Sequence, residues 1–129
     1  MKGVAFWFFG TAALSVAVGM GWGIMMSATQ DHSLSPAHGH LNLIGWVTMG
    51  LFGVYYHLVP TAAEKLLAKI HFVLAFAGLV IIVPGIVQAL NQSGETLAKL
   101  GSVLTMLSMV TFLFTVARDG LNRDGLNRD

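Results

Sequence analysis

Residues 37–43, Ala37-His38-Gly39-His40-Leu41-Asn42-Leu43, open a long apolar run that ends at Pro60. The run is long enough to form a membrane-spanning helix, and two imidazoles lie two residues apart at its mouth. Ionisable groups are expensive inside a hydrophobic span, and they are usually retained there for a ligand, an ion path or a partner. This pair of histidines is therefore the first candidate for a functional site.

Helical geometry separates the two rings. Residues at i and i+2 are rotated by about 200° around a helix, so His38 and His40 point to nearly opposite sides. The two rings are poorly placed to coordinate one small ion together, but each ring can bind a different ligand. Haem takes one axial nitrogen on each face, so such a helix can contribute to two haems, or to one haem and one metal. Interfacial histidines that are solvated or bonded to backbone carbonyls are the alternative interpretation.

Composition places the whole chain in the membrane. The chain has 129 residues, of which 55% are hydrophobic and 10% charged, and its mean hydropathy is +0.72. A soluble protein has about 25% charged residues. Because there is no cysteine, a disulfide, a thiolate ligand and a covalent attachment for c-type haem are all excluded. The net charge of +1 gives no indication of a nucleic-acid partner.

Apolar segments predict an all-α membrane protein with four transmembrane helices. Each segment is long enough, at about 1.5 Å per residue, to cross a hydrocarbon core of about 30 Å. Ser15, Gly19 and Gly23 recur every four residues in the first segment, which indicates a face that another helix can approach closely. The predicted spans are residues 3–28, 37–59, 70–90 and 97–117, and residues 118–129 are a polar cytoplasmic tail.

The distribution of basic residues predicts the orientation of the spans, because short cytoplasmic loops carry most lysines and arginines. In a chain with these four spans, Lys99 lies on one side and the other basic residues lie on the opposite side. Those residues are Lys2, Lys65, Lys69, Arg118, Arg123 and Arg128. We therefore expect an inner (cytoplasmic) membrane protein with both termini in the cytoplasm and with the histidine pair near the outer face.

A second pair of histidines, His57 and His71, flanks the hairpin between the second and third predicted spans. Their comparable depth would allow them to lie on a second haem or on a metal ion. Interfacial histidines that reach water or lipid headgroups need no cofactor, and this is the competing interpretation.

Residues 38–60 resemble a known membrane helix. Read as H-G-H-L-x-x-x-G-x-x-x-M with a Tyr and a Pro at the far end, they are similar to the ligand-bearing tenth helix of the catalytic subunit of haem-copper oxidases and nitric oxide reductases. Residues 40–43 also resemble the H-x-N segment of the second helix of that subunit. The matched residues are His38, Gly39, His40, Leu41, Gly45, Met49, Tyr56 and Pro60.

The resemblance implies a minimal relative that corresponds to one four-helix arc of the twelve-helix subunit. It implies b-type haem, with His38 as an iron ligand of the high-spin haem type, His40 as an iron ligand of the low-spin type, and Asn42 and Trp46 beside the cofactor. Because the three arcs of the subunit are related by approximate threefold symmetry, it also implies a homotrimer of this chain. In that trimer the two opposed histidines would face different subunit boundaries. A two-fold dimer in which two His40 rings share one haem is the competing arrangement.

Other features of the resembled family are missing. The chain has no adjacent pair of histidines for a second metal, and its acidic residues are expected outside the spans. The sequence therefore does not identify an autonomous oxidase or NO reductase. The expected function is a membrane cytochrome b that serves electron transport or binds O2 or NO, with a redox protein as partner. A carrier or assembly factor that handles haem or copper for a terminal oxidase is the second interpretation, and a scaffold of helices without a cofactor is the third.

Overall fold

The computed structural model describes the backbone of residues 1–126 and the side chains of residues 1–119. Every regular element in that part of the chain is helical, which confirms the predicted all-α class. The elements are α1 (Gly3–Thr29), α2 (Ser35–His40), a π-helix (Leu41–Thr48), α3 (Met49–Leu58), α4 (Pro60–Ala63), α5 (Leu66–Leu90) and α6 (Thr96–Leu126).

Three helices are long and apolar enough to cross a membrane. They are α1, α5 and residues 96–119 of α6, with lengths of 27, 25 and 24 residues. The chain thus has the character of a multi-pass membrane protein. The predicted second span is divided into α2, the π-helix and α3, which follow one another without a break from Ser35 to Leu58.

Two helices extend beyond the predicted spans. Helix α5 begins at Leu66, four residues before the predicted third span, and the short α4 precedes it. Helix α6 does not end at residue 117 but continues to Leu126. The last three residues of the predicted tail, 127–129, lie outside the described residues.

Small residues set the distances between the helices. Helix α1 packs on the π-helix and α3, and α5 packs along α6. A Cβ atom added to Gly53 would lie 2.9 Å from the backbone nitrogen of Phe9, and one added to Gly101 would lie 2.6 Å from the Cα atom of Ile82. Both contacts require glycine, and such close approach lets membrane helices associate through van der Waals packing.

The small-residue face predicted on α1 is confirmed. A Cβ atom added to Gly45 would lie 2.8 Å from Ser15, and along the same face Gly19 lies against Asn42 of the π-helix and Gly23 against His38 of α2. The face therefore packs within the chain, and it holds the segment that carries the histidine pair.

Candidate functional site

A local turn orients α2 at one end of the bundle. The backbone N–H of Ser33 donates to Oδ1 of Asp31 at 3.0 Å, and the hydroxyl of Ser35 donates to the carbonyl oxygen of His32 at 2.7 Å. The hydrogen bonds from Ser33 hold the pKa of Asp31 below its usual value. Pro36 then lies in the first turn of α2, where its missing N–H costs no hydrogen bond.

His38 lies half-buried between α2 and α1. Its Nε2 atom is 3.0 Å from the carbonyl oxygen of Gly19, and its ring meets Trp22 edge to face with centroids 5.9 Å apart. A carbonyl oxygen only accepts hydrogen bonds, so Nε2 of His38 carries the proton in this contact. That nitrogen then has no lone pair to offer to a metal.

The side chain of Asn42 lies beside His38 and contacts it. Its side-chain Nδ2 atom donates to the carbonyl oxygen of His38 at 2.9 Å and lies 3.1 Å from Nε2 of the same residue. Gly19 leaves the space that the amide group occupies. Asn42 is therefore bonded to the backbone of His38, and its amide group lies beside the ring of that residue.

His40 has the opposite arrangement. Its side chain is exposed, and its Nδ1 atom lies 2.7 Å from the carbonyl oxygen of Pro36, to which Nδ1–H donates. Its Nε2 atom has no partner among the described residues. The hydrogen bond to Pro36 thus selects the tautomer that leaves a lone pair on an exposed Nε2.

The two neighbouring rings occupy different surroundings, as the spacing of the pair predicts. His40 lies at the surface, whereas His38 contacts α1 of its own chain. Gly23 of α1 leaves the space beside the ring of His38, which therefore lies close to that helix.

Trp46 lies on an open apolar groove between α1 and the helices that follow His40. Its ring meets Phe9 edge to face with centroids 6.3 Å apart. The groove has a volume of about 250 Å³, and Leu51 and Val54 also line it. The side chain is thus available to a neighbouring molecule or to lipid.

The π-helix that follows His40 was not predicted. Thr48 donates its hydroxyl to the carbonyl oxygen of Leu43, five residues earlier, at 2.9 Å. π-helical turns are rare and frequently lie at functional sites. No proline or charged residue in residues 41–48 indicates the wider turn. A prediction that assumes 3.6 residues per turn therefore assigns side chains of this segment to the wrong side of the helix.

The structure does not bring His57 and His71 to a shared site. His57 is exposed and lines an open cavity of about 490 Å³, together with Lys2, Tyr56 and Glu64. His71 is fully buried. Within residues whose side chains are described, no three His, Asp or Glu groups are placed to hold a metal ion.

An aromatic cage surrounds His71. Its ring centroid lies 4.9 Å from that of Phe8, 4.5 Å from that of Phe52 and 5.6 Å from that of Phe112. The hydroxyl of Tyr56 is 3.0 Å from Nδ1, and the buried Nε2 atom has no partner among the described residues. The sequence placed Tyr56 in a motif but did not signal this hydrogen bond, because the two residues belong to different helices.

Asp119 was expected in the polar tail, but it is buried. Its Oδ1 atom lies 2.9 Å from Nζ of Lys65, and the hydroxyl of Tyr55 donates to Oδ2 at 3.4 Å. The carboxylate thereby joins α6 to the connection before α5. The continuation of α6 past residue 117 brings Asp119 to these two half-buried partners.

Comparison of the chain with protein-family models, with curated protein sequences and with solved structures finds no match. The candidate site therefore rests on its own geometry, in which His40 offers the free exposed nitrogen of the histidine pair.

Proposed function

We propose that this chain is a membrane-embedded b-type haem protein that binds haem iron through Nε2 of His40 and serves electron transfer or the binding of O2 or NO. One observation carries the proposal: Nδ1 of His40 donates to the carbonyl oxygen of Pro36 at 2.7 Å while Nε2 has no partner among the described residues. Histidines that bind a metal almost always donate their second ring nitrogen to a carbonyl, a carboxylate or water.

The helical segment that follows His40 has exposed apolar side chains that a large apolar cofactor could contact. Leu43, Trp46 and Val47 follow His40 in the chain, and their side chains are 62%, 36% and 43% exposed. Sites for cofactors are lined mainly by apolar and aromatic side chains, with few polar groups that fix the orientation. The donor set thus fits haem, for which one neutral imidazole nitrogen and apolar walls suffice.

The residues of the chain have separate roles in this proposal. His40 binds the iron, and the carbonyl of Pro36 holds the ring and raises the basicity of Nε2. His38 and Asn42 hold the same segment against α1, as their contacts with Gly19 indicate. Haem, when bound, would supply the one-electron and gas chemistry. A carrier of haem or copper is the alternative, in which the same nitrogen of His40 would bind its cargo reversibly.

The proposal includes a homo-oligomer of this chain. A haem bound to an exposed histidine would have its second face open, and a second copy of the chain could cover that face. Two copies related by a two-fold axis would each supply His40 to one shared haem. A homotrimer that pairs His38 of one copy with His40 of the next would require His38 to leave the carbonyl of Gly19. The intramolecular contact of His38 therefore favours the dimer.

We also propose that α2, the π-helix and α3 together form a fourth span in an inner membrane, with both termini in the cytoplasm. Lys2 and Glu64 line the same cavity, and Lys65 pairs with Asp119. The start of the chain, the connection before α5 and residue 119 of α6 therefore lie at one end of the bundle. Clustering of basic residues at that end favours the cytoplasmic side.

The optical spectrum of the purified protein tests the haem proposal. We expect a Soret band, a sharp α-band in the reduced-minus-oxidised spectrum, and a shift with carbon monoxide if the second axial position is free. Copper without haem would favour the carrier. Protein that contains neither cofactor after expression with ample haem would refute a haem function.

A further inference from the structure

A small cavity lies where the π-helix, α3, α5 and α6 meet. Its volume is about 100 Å³, and its lining includes Ile44, Met49, Ala75, Ser108 and Met109. Met49 is 1% exposed, whereas Met109 is 45% exposed. The cavity thus has one wall in the core and another at the exposed surface of α6.

The cavity is a poor site for water. A buried water needs two to four polar partners. Thr48 donates its hydroxyl to the carbonyl of Leu43, and Thr105 donates to the carbonyls of Gly101 and Ser102, so Ser108 has the one hydroxyl hydrogen of the described lining that can be directed to a guest. Most of the remaining lining is hydrocarbon, aromatic ring and thioether.

The volume limits the size of a guest. An apolar protein cavity of about 150 Å³ stays dry and accepts benzene or xenon. A cavity of about 100 Å³ is too small for an aromatic ring of that kind and suits a diatomic molecule or a rare-gas atom. The sulfur atoms of Met49 and Met109 add polarisable surface, which strengthens dispersion attraction to such a guest.

We infer that this cavity binds a small apolar gas, dioxygen or NO, that enters from the surrounding lipid beside Met109. The lipid-facing position matters because apolar gases dissolve better in hydrocarbon than in water. The inference depends on the cavity between these helices and not on His40 or on haem, so either proposal can fail alone.

Methyl NMR under dioxygen pressure tests this inference. Dioxygen is paramagnetic, so it broadens methyl signals in proportion to its local occupancy. In protein labelled at the methionine methyl groups, Met49 should broaden several-fold more than Met26, which is also buried, at 7% exposure, but does not line the cavity. Equal broadening of the two signals would overturn the inference.

Xenon provides a second measurement on the same sample. We expect the Met49 methyl signal to shift and to saturate with xenon pressure, whereas the exposed Met106 should shift only in proportion to pressure. Nuclear Overhauser effects from Met49 to lipid chain protons in deuterated protein would mean that an acyl chain fills the cavity. That result, or an effect to water, would overturn the inference.

Filling the cavity gives the decisive comparison. Ser108→Leu should reduce the broadening of Met49 to the level of Met26, and Ser102→Leu, on an exposed position of α6, should leave it unchanged. If Ser108→Leu does not fold, Met109→Phe narrows the cavity from a partly exposed position and should have the same effect. Undiminished broadening in a folded filled variant would contradict the assignment.

Discussion

His38 and His40 differ in which ring nitrogen the backbone occupies. Nε2 of His38 donates a hydrogen bond to the carbonyl oxygen of Gly19 on the neighbouring helix. Nδ1 of His40 donates one to the carbonyl oxygen of Pro36 in the preceding turn. Because a neutral imidazole has one donor and one acceptor nitrogen, these contacts leave different atoms for a ligand. One hydrogen bond at each ring therefore decides which nitrogen keeps its lone pair, and that nitrogen is exposed at His40.

We expect His40→Ala to remove most of the haem while the helical fold persists. An axial nitrogen is the main specific anchor of an untethered haem, and apolar walls supply only general affinity. The haem-to-protein ratio and circular dichroism of the purified variant measure the two effects. Matched controls are His32→Ala, an exposed loop position at the same end, and His57→Ala at the other end. A full haem complement in His40→Ala would exclude His40 as a ligand.

The hydrogen bond between Tyr56 and His71 leads to a prediction about stability. Tyr56→Phe removes the partner of Nδ1 and leaves a buried imidazole with no partner for either nitrogen among the described residues. Loss of one partner in a buried pair costs about 1–3 kcal/mol. We therefore expect a lower unfolding temperature in detergent.

Adding His71→Leu to Tyr56→Phe should recover part of that loss, since removal of both partners can be nearly neutral. Thermal unfolding of the two single variants and the double variant forms a double-mutant cycle. Additive effects would mean that the hydrogen bond contributes no coupling.

At the scale of the elements, the contact between α5 and α6 depends on glycine. A Cβ atom at Gly101 would lie 2.6 Å from backbone and side-chain atoms of Ile82, while one at Gly10 of α1 would meet nothing within 4 Å. These two positions therefore form a matched pair for substitution, because alanine favours a helix by about 1 kcal/mol over glycine at both.

Gly101→Ala should lower the free energy of unfolding by about 1–3 kcal/mol, because overpacking forces the helices apart. Gly10→Ala should be neutral or slightly stabilising. Denaturation followed by circular dichroism measures both variants. A Gly101→Ala protein as stable as Gly10→Ala would show that α5 and α6 do not need this close approach.

At the scale of the whole molecule, the absence of native cysteine makes topology directly measurable. Ser33→Cys, Thr61→Cys and Ser93→Cys introduce single thiols in three connections. With four spans and both termini inside, a membrane-impermeant maleimide should label the first and third variants in intact cells, but label Thr61→Cys only after permeabilisation. Equal labelling of Ser33→Cys and Thr61→Cys would mean that residues 35–58 do not cross the membrane.

The assembly also belongs to this scale. Native mass spectrometry in detergent should detect a dimer with one haem per two chains if two His40 rings share the cofactor. A trimer with three haems would instead support the arrangement in which His38 faces a neighbouring copy. Monomers that carry a full haem complement would contradict both arrangements.

The sequence by itself determined the helical class, the membrane character, the packing face on α1 and the different surroundings of His38 and His40. These properties follow from apolar run length and from helical periodicity, which are local along the chain. Only the tertiary structure decided that His38 turns inward, that Tyr56 bonds to His71 and that Asp119 is buried against Lys65. Each of these contacts joins residues that are distant from each other in the sequence. The close approach of the helices, permitted by glycines such as Gly53 and Gly101, therefore selects the partner of each polar group.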